Sequence, residues 1–343
     1  MERPGSRLGS RGVDAPLSHR FRNQTPTGPN RFRDFVKWMR TREPGPWQKW
    51  TEIPPATDPP HRVGRGAMRL TFVNHSTVLV QMDGLNILTD PIWSKRASPV
   101  SFAGPKRVHA PGLRWEQLPP IDVALVSHNH YDHLDVETLD RLAAEHRPWI
   151  FVPRANRDML VRRGLRDVHE LDWWGSAGVR EGIRVTAVPA QHFSGRGLFD
   201  RNRALWSGFV VSGPAGAMYF AGDTGFGPHF RQIRERLGPP RLALLPIGAY
   251  RPEWFMSRVH MSPDEALDAH EVLGADVSAA IHFGTFRLAD DGENEAPARI
   301  EALLRDAVPP RPQFWILGSG EARDVPSAAP KVDAGLADSA AQR

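Results

Sequence analysis

Ser127-His-Asn-His-Tyr-Asp-His-Leu-Asp135 packs His128, His130, Asp132 and His133 into six consecutive positions, an H-x-H-x-D-H run. The apolar stretch Ile121–Val126 ahead of it reads as a buried strand. Residues 136–146 behind it alternate at helical spacing. Four side chains of metal-ligating type therefore share one short loop between a strand and a helix. Imidazole and carboxylate together suit a borderline ion such as Zn²⁺. The competing reading is a polar strand-to-helix turn that happens to hold histidines, and the rest of the chain argues against it.

Three further apolar runs each end on a residue of the same type. His192 follows Ile183–Val188, Asp223 follows Ala217–Phe220, and His282 follows Val277–Ala280. A lone histidine at a strand end is usually structural. Open sheets, however, gather their ligands at strand ends, and the repetition points to one shared site. The expected division gives His128, His130 and His192 to one ion, and Asp132, His133 and His282 to a second. Asp223 would bridge them, because a carboxylate has two oxygens to share. Gly222 beside it removes a Cβ where the backbone must come close. Two such ions, ~3.5–4 Å apart, support hydrolysis without a protein nucleophile. No G-x-S-x-G elbow or phosphate-binding P-loop competes for that role.

The H-x-H-x-D-H loop with His192, Asp223 and His282 resembles the metallo-β-lactamase superfamily. A narrower likeness is to N-acyl-phosphatidylethanolamine-hydrolysing phospholipases D. It rests on Leu88–Ile92, Arg96–Pro99, Gly104–Arg107, Leu118–Asp122, Ser127–Asp135, Glu170–Trp174, Phe220–Gly225, Pro246–Tyr250, Trp254–Met256 and Ile281–Phe286. The likeness spans about residues 68–320. Asn74 departs from a Gly common before the position of His75, and Phe193 stands where a Trp can occur. The resemblance implies an α/β fold, a four-layer αββα sandwich. It also implies a di-zinc phosphodiesterase that releases phosphatidic acid and an N-acylethanolamine, with iron or manganese as alternative metals. A lactonase or phosphoesterase for a small soluble anion is the alternative function. A non-catalytic scaffold has no need of an open two-metal site.

Around the ligands, Asp90 (in Thr-Asp-Pro after a strand) and His75 are expected to hold metal-bound groups in place. Asp132, Tyr131 and His260 are expected to take part in the chemistry, Tyr131 and His260 by meeting phosphate oxygens. Trp173, Trp174, Trp254 and Phe255 are candidates for lining an acyl-chain channel, against the alternative of ordinary core aromatics. Arg196, Arg201 and Arg203 lie just past His192, on a loop read mainly as solvated.

The 343 residues, 40% hydrophobic, are enough for one large core. A net charge of +5 is mildly basic, which argues against a dedicated nucleic-acid binder. Only five of the 44 basic residues are Lys, a bias that coding in a G+C-rich genome explains. The absence of Cys excludes disulfides and thiolate ligands. No run approaches the ~18 apolar residues of a membrane span, and Met1–Pro16 lacks the apolar centre of a secretory signal, so a cytoplasmic protein is expected.

Residues 1–30 and 326–343 read as disordered tails. Residues 31–64 read as a helix and connector, and 65–325 as the hydrolase domain. Phe32, Phe35, Val36 and Met39 form one apolar helix face flanked by Arg and Lys. That face either docks on the core or lies on an anionic membrane. The expected partner is a phospholipid or small phosphodiester, with a homodimer left open.

Overall fold

The computed structural model describes residues 20–26, 28, 32–54, 56–197 and 199–327. Its strands are β1 (Met68–Asn74), β2 (Thr77–Met82), β3 (Leu85–Thr89), β4 (Val123–Leu125), β5 (Trp149–Pro153), β6 (Val168–Leu171), β7 (Ser176–Arg180), β8 (Ile183–Val188), β9 (Gly208–Gly213), β10 (Gly216–Phe220), β11 (Leu242–Pro246), β12 (Val277–Ile281), β13 (Phe314–Trp315) and β14 (Ala322–Asp324). They form two seven-stranded sheets, ordered β14-β1-β2-β3-β4-β5-β6 and β13-β12-β11-β10-β9-β8-β7.

Each sheet is antiparallel in one part and parallel in the other: β3 to β6 in the first, β10 to β13 in the second. Parallel neighbours need crossover connections. These are supplied by helices α2 (Val136–Glu145) and α3 (Arg157–Arg162) on the first sheet, and by α4 (His229–Leu237), α6 (Pro263–Leu273) and α7 (Glu295–Asp306) on the second. A nine-residue helix, α1 (Phe32–Arg40), precedes the sheets, and one turn, α5 (Glu253–Met256), precedes α6.

Burial follows the strand period of two. Leu70, Phe72, Val80, Ile87, Leu125 and Phe151 of the first sheet face Val185, Phe209, Val211, Phe220, Leu244 and Ile281 of the second. The intervening residues turn outward. Leu79, Leu88, Ala124 and Ile150 meet Leu139, Leu142 and Leu160 of α2 and α3, while Tyr219, Ala243 and Leu245 meet Phe230, Ala269 and Ile300 of α4, α6 and α7. Strands covered on both faces read as continuous apolar runs, which is why most were legible in the sequence. Phe209 is fully buried in the inter-sheet layer, so truncating it to Ala costs about 3–5 kcal/mol. The result is the αββα sandwich.

Helix α6 is capped at both ends. Ser262 Oγ accepts the Glu265 N–H, Glu265 returns a bond to Ser262 N, and Gly274 closes the helix at φ 62°.

Two expectations need correction. Residues 20–26 and 28 are not a free tail, since Phe21 N–H donates to Asn202 O and Arg258 donates to Gly28 O; backbone and side-chain hydrogen bonds hold a segment that has no apolar pattern. At the other end, the Pro326 carbonyl accepts from Arg241. The expectations for residues 1–19 and 328–343 lie outside the described residues. Second, α1 docks through Trp38 rather than through the face containing Phe35 and Met39. Trp38 stacks on Phe255 at 5.0 Å and donates its indole N–H to Asp290 at 2.8 Å. Phe35 and Met39 are left 45% and 49% exposed. Strands β6, β7 and β14 show no apolar run in the sequence because they are partly exposed and carry charged residues.

Candidate metal centre

The loop after β4 belongs to the first sheet, whereas His192, Asp223 and His282 follow β8, β10 and β12 of the second. The two sheets bring them together at one end of the sandwich. Asp223 Oδ2 sits at the middle, 3.2 Å from His133 Nε2, 3.2 Å from His282 Nε2, 3.6 Å from His192 Nε2 and 3.9 Å from His128 Nε2. Asp132 Oδ2 lies 3.1 Å from His133 Nε2 and 3.4 Å from His282 Nε2. Donor atoms of His128, His130, His192 and Asp223 lie within 4.8 Å of one another, as do those of His75, Asp132, His133 and His282. All seven expected ligands therefore converge.

The residues around them fix which nitrogen faces the centre. His133 Nδ1 lies 2.6 Å from Asp90 Oδ2, and Asp90 also accepts from Ser127 N and Ser127 Oγ, each at 2.6 Å. His192 Nδ1 donates to the Val259 carbonyl at 2.9 Å. His128 Nδ1 lies 2.9 Å from Ser127 Oγ. In each case the opposite nitrogen, Nε2, is left for the centre. His75, Asp90 and His282 hold positive φ values of 46°, 32° and 61°. Non-glycine residues in such conformations cost of order 1–3 kcal/mol each and collect at functional sites. Close approach is also built in. A Cβ on Gly248 would come within 2.1 Å of the His282 carbonyl, and one on Gly222 within 2.5 Å of Ser127 Cβ. Gly222 thus makes room for the ligand loop itself.

Electrostatics point the same way. Burial pushes the carboxyls of Asp132 and Asp223 up, but the His133 imidazolium holds both well below their usual range. Burial works against a charged His133, yet Asp223, Asp132 and Asp90 raise it well above normal; His282 is likewise pushed up to about 9. Burial keeps His128 and His192 neutral. Buried carboxylates among imidazoles form a cluster that attracts cations.

The buried atoms His133 Nε2, both ring nitrogens of His282 and Asp223 Oδ1 have no hydrogen-bond partner. The Nε2 atoms of His133 and His282 approach Asp223 Oδ2 without the alignment a hydrogen bond requires. Leaving buried polar atoms unpaired is costly. A metal ion that displaces the protons of His133 and His282 fits their inward-facing Nε2 atoms and Asp223 Oδ1.

Of the other expected residues, Asp90 lies against His133 and His75 against Asp132. His75 Nε2 lies 3.0 Å from Asp132 Oδ2, and its ring packs on His282 at 4.3 Å. His260 stands between His192 and His282, at 5.1 and 5.4 Å between ring centroids, with Nδ1 buried and unpartnered. Tyr131 differs from expectation. Its hydroxyl donates to the Arg196 carbonyl at 2.9 Å and the Arg196 guanidinium lies over its ring, so its proton is committed within the protein.

Trp174 packs on the outer core under Arg236, and Trp173 donates to the Trp206 carbonyl. Phe255 is buried under Trp38. These three are structural. Trp254 is 43% exposed beside an open groove of about 800 Å³ that Tyr250, Arg251 and Glu295 also line. Arg196 donates to the Asn129 and Leu134 carbonyls and braces the ligand loop. Arg201 lies over Phe193, whose ring packs on His130. Sequence reasoning missed Ser127 as an orienting residue, although it adjoins the motif, and it missed Asn23, which carries no sequence signal.

The family model described as the Beta-lactamase superfamily domain matches residues 85–283. The chain belongs to this superfamily. Within it, the chain is 45% identical over 227 residues to N-acyl-phosphatidylethanolamine-hydrolyzing phospholipase D 1 of Caenorhabditis elegans, across 63% of this chain and 64% of that protein. The match thus spans just under two thirds of that relative's length. It is 33% identical over 246 residues to a UPF0173 metal-dependent hydrolase of Methanopyrus kandleri, across 70% of this chain and 94% of that protein. Igni18, a metallo hydrolase of Ignicoccus hospitalis, shares the fold with a TM-score of 0.55 at 24% identity, covering 75% of this chain and 98% of that one. The chain has the metallo-β-lactamase fold, and the relatives it matches include proteins named as metal-dependent hydrolases.

Proposed function

We propose that this chain is a phosphodiesterase of the phospholipase D type. Its substrates would be N-acyl-phosphatidylethanolamine-like lipids, and its products phosphatidic acid and an N-acylethanolamine. The observation that carries the reading is the pair of donor groups meeting at Asp223 Oδ2, in a chain 45% identical to a relative bearing that name. His128, His130 and His192 would hold one divalent ion, Asp132, His133 and His282 a second, and Asp223 both. Zinc suits this donor set, with iron or manganese as alternatives. Such ions, when bound, polarise a phosphoryl oxygen and make water a stronger nucleophile near neutral pH.

Hydrolysis joins the water oxygen to phosphorus, breaks the P–O bond to the ethanolamide, and leaves a proton on the departing oxygen. Burial lowers the His260 pKa to about 4, so its imidazole is neutral in use and offers an N–H to a phosphoryl oxygen. Arg201 supplies a cation beside His130 and Phe193 for the diester's charge. Asp90, Ser127 and the Val259 carbonyl keep the imidazoles turned inward.

The lipid part of the proposal is supported by exposed apolar side chains next to basic ones. Phe35, Met39 and Trp254 are 45%, 49% and 43% exposed, and Lys37 Nζ lies 4.5 Å from the Trp254 ring centre. We infer a peripheral contact between this surface and an anionic bilayer. Among the described residues no helix is long and apolar enough to cross a membrane.

Turnover by the purified, metal-loaded protein tests the reading, with three substrates compared: N-acylated phosphatidylethanolamine, a short-chain soluble phosphodiester, and a lactone. Release of N-acylethanolamine from the lipid is expected. Turnover of the lactone with none of either phosphodiester would overturn the assignment.

A further inference from the structure

Asn23 reaches the candidate metal centre from a segment that carries no motif. Its Oδ1 accepts the His192 backbone N–H at 3.1 Å, and its Nδ2 donates to the His192 carbonyl at 2.9 Å. The Trp206 indole N–H donates to the same Oδ1 at 3.0 Å. His192 lies beyond the end of β8, which pairs with β9 only as far as Val188. There the Asn23 amide stands in for the missing strand, taking one donor and one acceptor of a single residue. Of the short side chains, only a carboxamide presents both groups in one plane.

We propose that Asn23 is a positioning residue of the metal centre: it fixes the main chain of His192 so that Nε2 stays directed at Asp223. The proposal rests on the reading of His192 as a ligand. Two restraints then divide the work. The Val259 carbonyl sets the rotation of the ring through Nδ1, and Asn23 sets the place of the backbone that carries it. The segment is itself held on both sides of Asn23. Arg20 donates to the Arg201 and Phe199 carbonyls, Phe21 N–H donates to Asn202 O at 2.8 Å, and Arg258 donates to the Gly28 carbonyl at 2.6 Å. The same segment thereby ties down the loop carrying Arg201, which lies over Phe193, the neighbour of His192. Asn23 is half-buried, so water can take over the two His192 groups when its side chain is removed, and such variants are expected to fold.

The test uses full-length, metal-loaded protein and follows release of ions to a chelator. The variants are Asn23→Ala, Asn23→Asp and, as a control that loosens the far end of the segment without touching Asn23, Arg258→Ala. Changing a group that orients a ligand typically alters metal affinity 10–100-fold. One of two ions is therefore expected to leave at least about tenfold faster in both Asn23 variants; the Asp variant behaves like Ala because a carboxylate cannot donate to the His192 carbonyl. Arg258→Ala should release metal at the wild-type rate. Thermal midpoints of the metal-stripped proteins separate positioning from bulk stability, and equal midpoints with faster release support the proposal. Wild-type release rates in both Asn23 variants would overturn it. So would a loss of metal-free stability that accounts for the faster release, or an equal acceleration in Arg258→Ala. A wild-type protein that holds no ion would instead overturn the metal-centre reading itself.

Discussion

Replacing Asp90 with Asn changes one atom and should disable one of the two proposed metal positions while leaving the other. The carboxylate accepts Ser127 N–H at Oδ1, and receives Ser127 Oγ and His133 Nδ1 at Oδ2, all at 2.6 Å. A carboxamide has one acceptor oxygen, so one of its two orientations must be chosen. If its NH₂ occupies the Oδ2 position, it faces the His133 Nδ1–H. The imidazole then escapes only by moving its proton to Nε2, the atom that faces Asp132 and Asp223. If the NH₂ occupies the Oδ1 position, it faces the Ser127 backbone N–H, and the start of the ligand loop must shift. Neither orientation preserves the wild-type arrangement. Loss of an orienting carboxylate typically costs 10–100-fold in metal affinity, about 1.4–2.7 kcal/mol. The cost should fall on the position served by Asp132, His133 and His282. Titration of the metal-free variant against a chromophoric chelator should therefore show one wild-type dissociation constant and one raised 10–100-fold, with turnover falling in parallel. Two wild-type constants in a folded Asp90→Asn protein would refute the argument that this carboxylate sets the His133 tautomer.

Asp223→Asn should lower the occupancy of both positions, because Oδ2 of Asp223 adjoins imidazoles of both donor groups; elemental analysis after dialysis checks this, and loss of a single ion would show that the residue serves one position only. Asp135→Asn, whose carboxylate instead holds Ser94 and Thr138, should keep both ions and most activity. Binding to vesicles, read by co-sedimentation, should require anionic lipid and fall as salt rises, since each basic residue near such a surface contributes about 1 kcal/mol. Phe35→Ser with Trp254→Ser should weaken vesicle turnover more than turnover of a short soluble diester, and equal losses would return α1 to a purely structural role. Burial lowers the His229 pKa from 6.5 to about 3. The unfolded chain therefore binds this proton more readily, and stability falls by up to about 1.4 kcal/mol per pH unit between 6.5 and 3. His229→Gln should flatten that part of the pH–stability curve measured by denaturant unfolding, and an unchanged slope would refute the assignment.

The strands that could be read from the chain were those buried on both sides. Leu244 and Ile281 belong to runs with little polar content, Val185 belongs to one in which Arg184 and Thr186 alternate with apolar residues, and the ends could be located because Pro189, Pro246 and His282 follow. The ligand set was legible because its types are rare and each follows such a run. What stayed hidden depended on partners distant in sequence. Nothing local to Trp38 says that it will stack on Phe255 and reach Asp290, so the helix face with the better period, through Phe35 and Met39, looked like the docking face. Tyr131 looked free because Arg196 lies 65 positions away. Asn23 lay in a stretch of turn-forming residues whose composition gives no sign of the 169-residue reach to His192.

Because the donor groups are drawn from both sheets, whatever occupies the centre also clamps the two halves of the sandwich at that end. Ligands that bind only the folded state add RT ln(1 + [L]/Kd) to its stability, about 2.7 kcal/mol at a hundredfold excess over Kd. The resistance of this chain to heat and to proteolysis should therefore track the metal supply of the cell that makes it. A cell starved of the ion would lose the protein itself as well as its turnover, and its abundance would report metal status without any dedicated sensor.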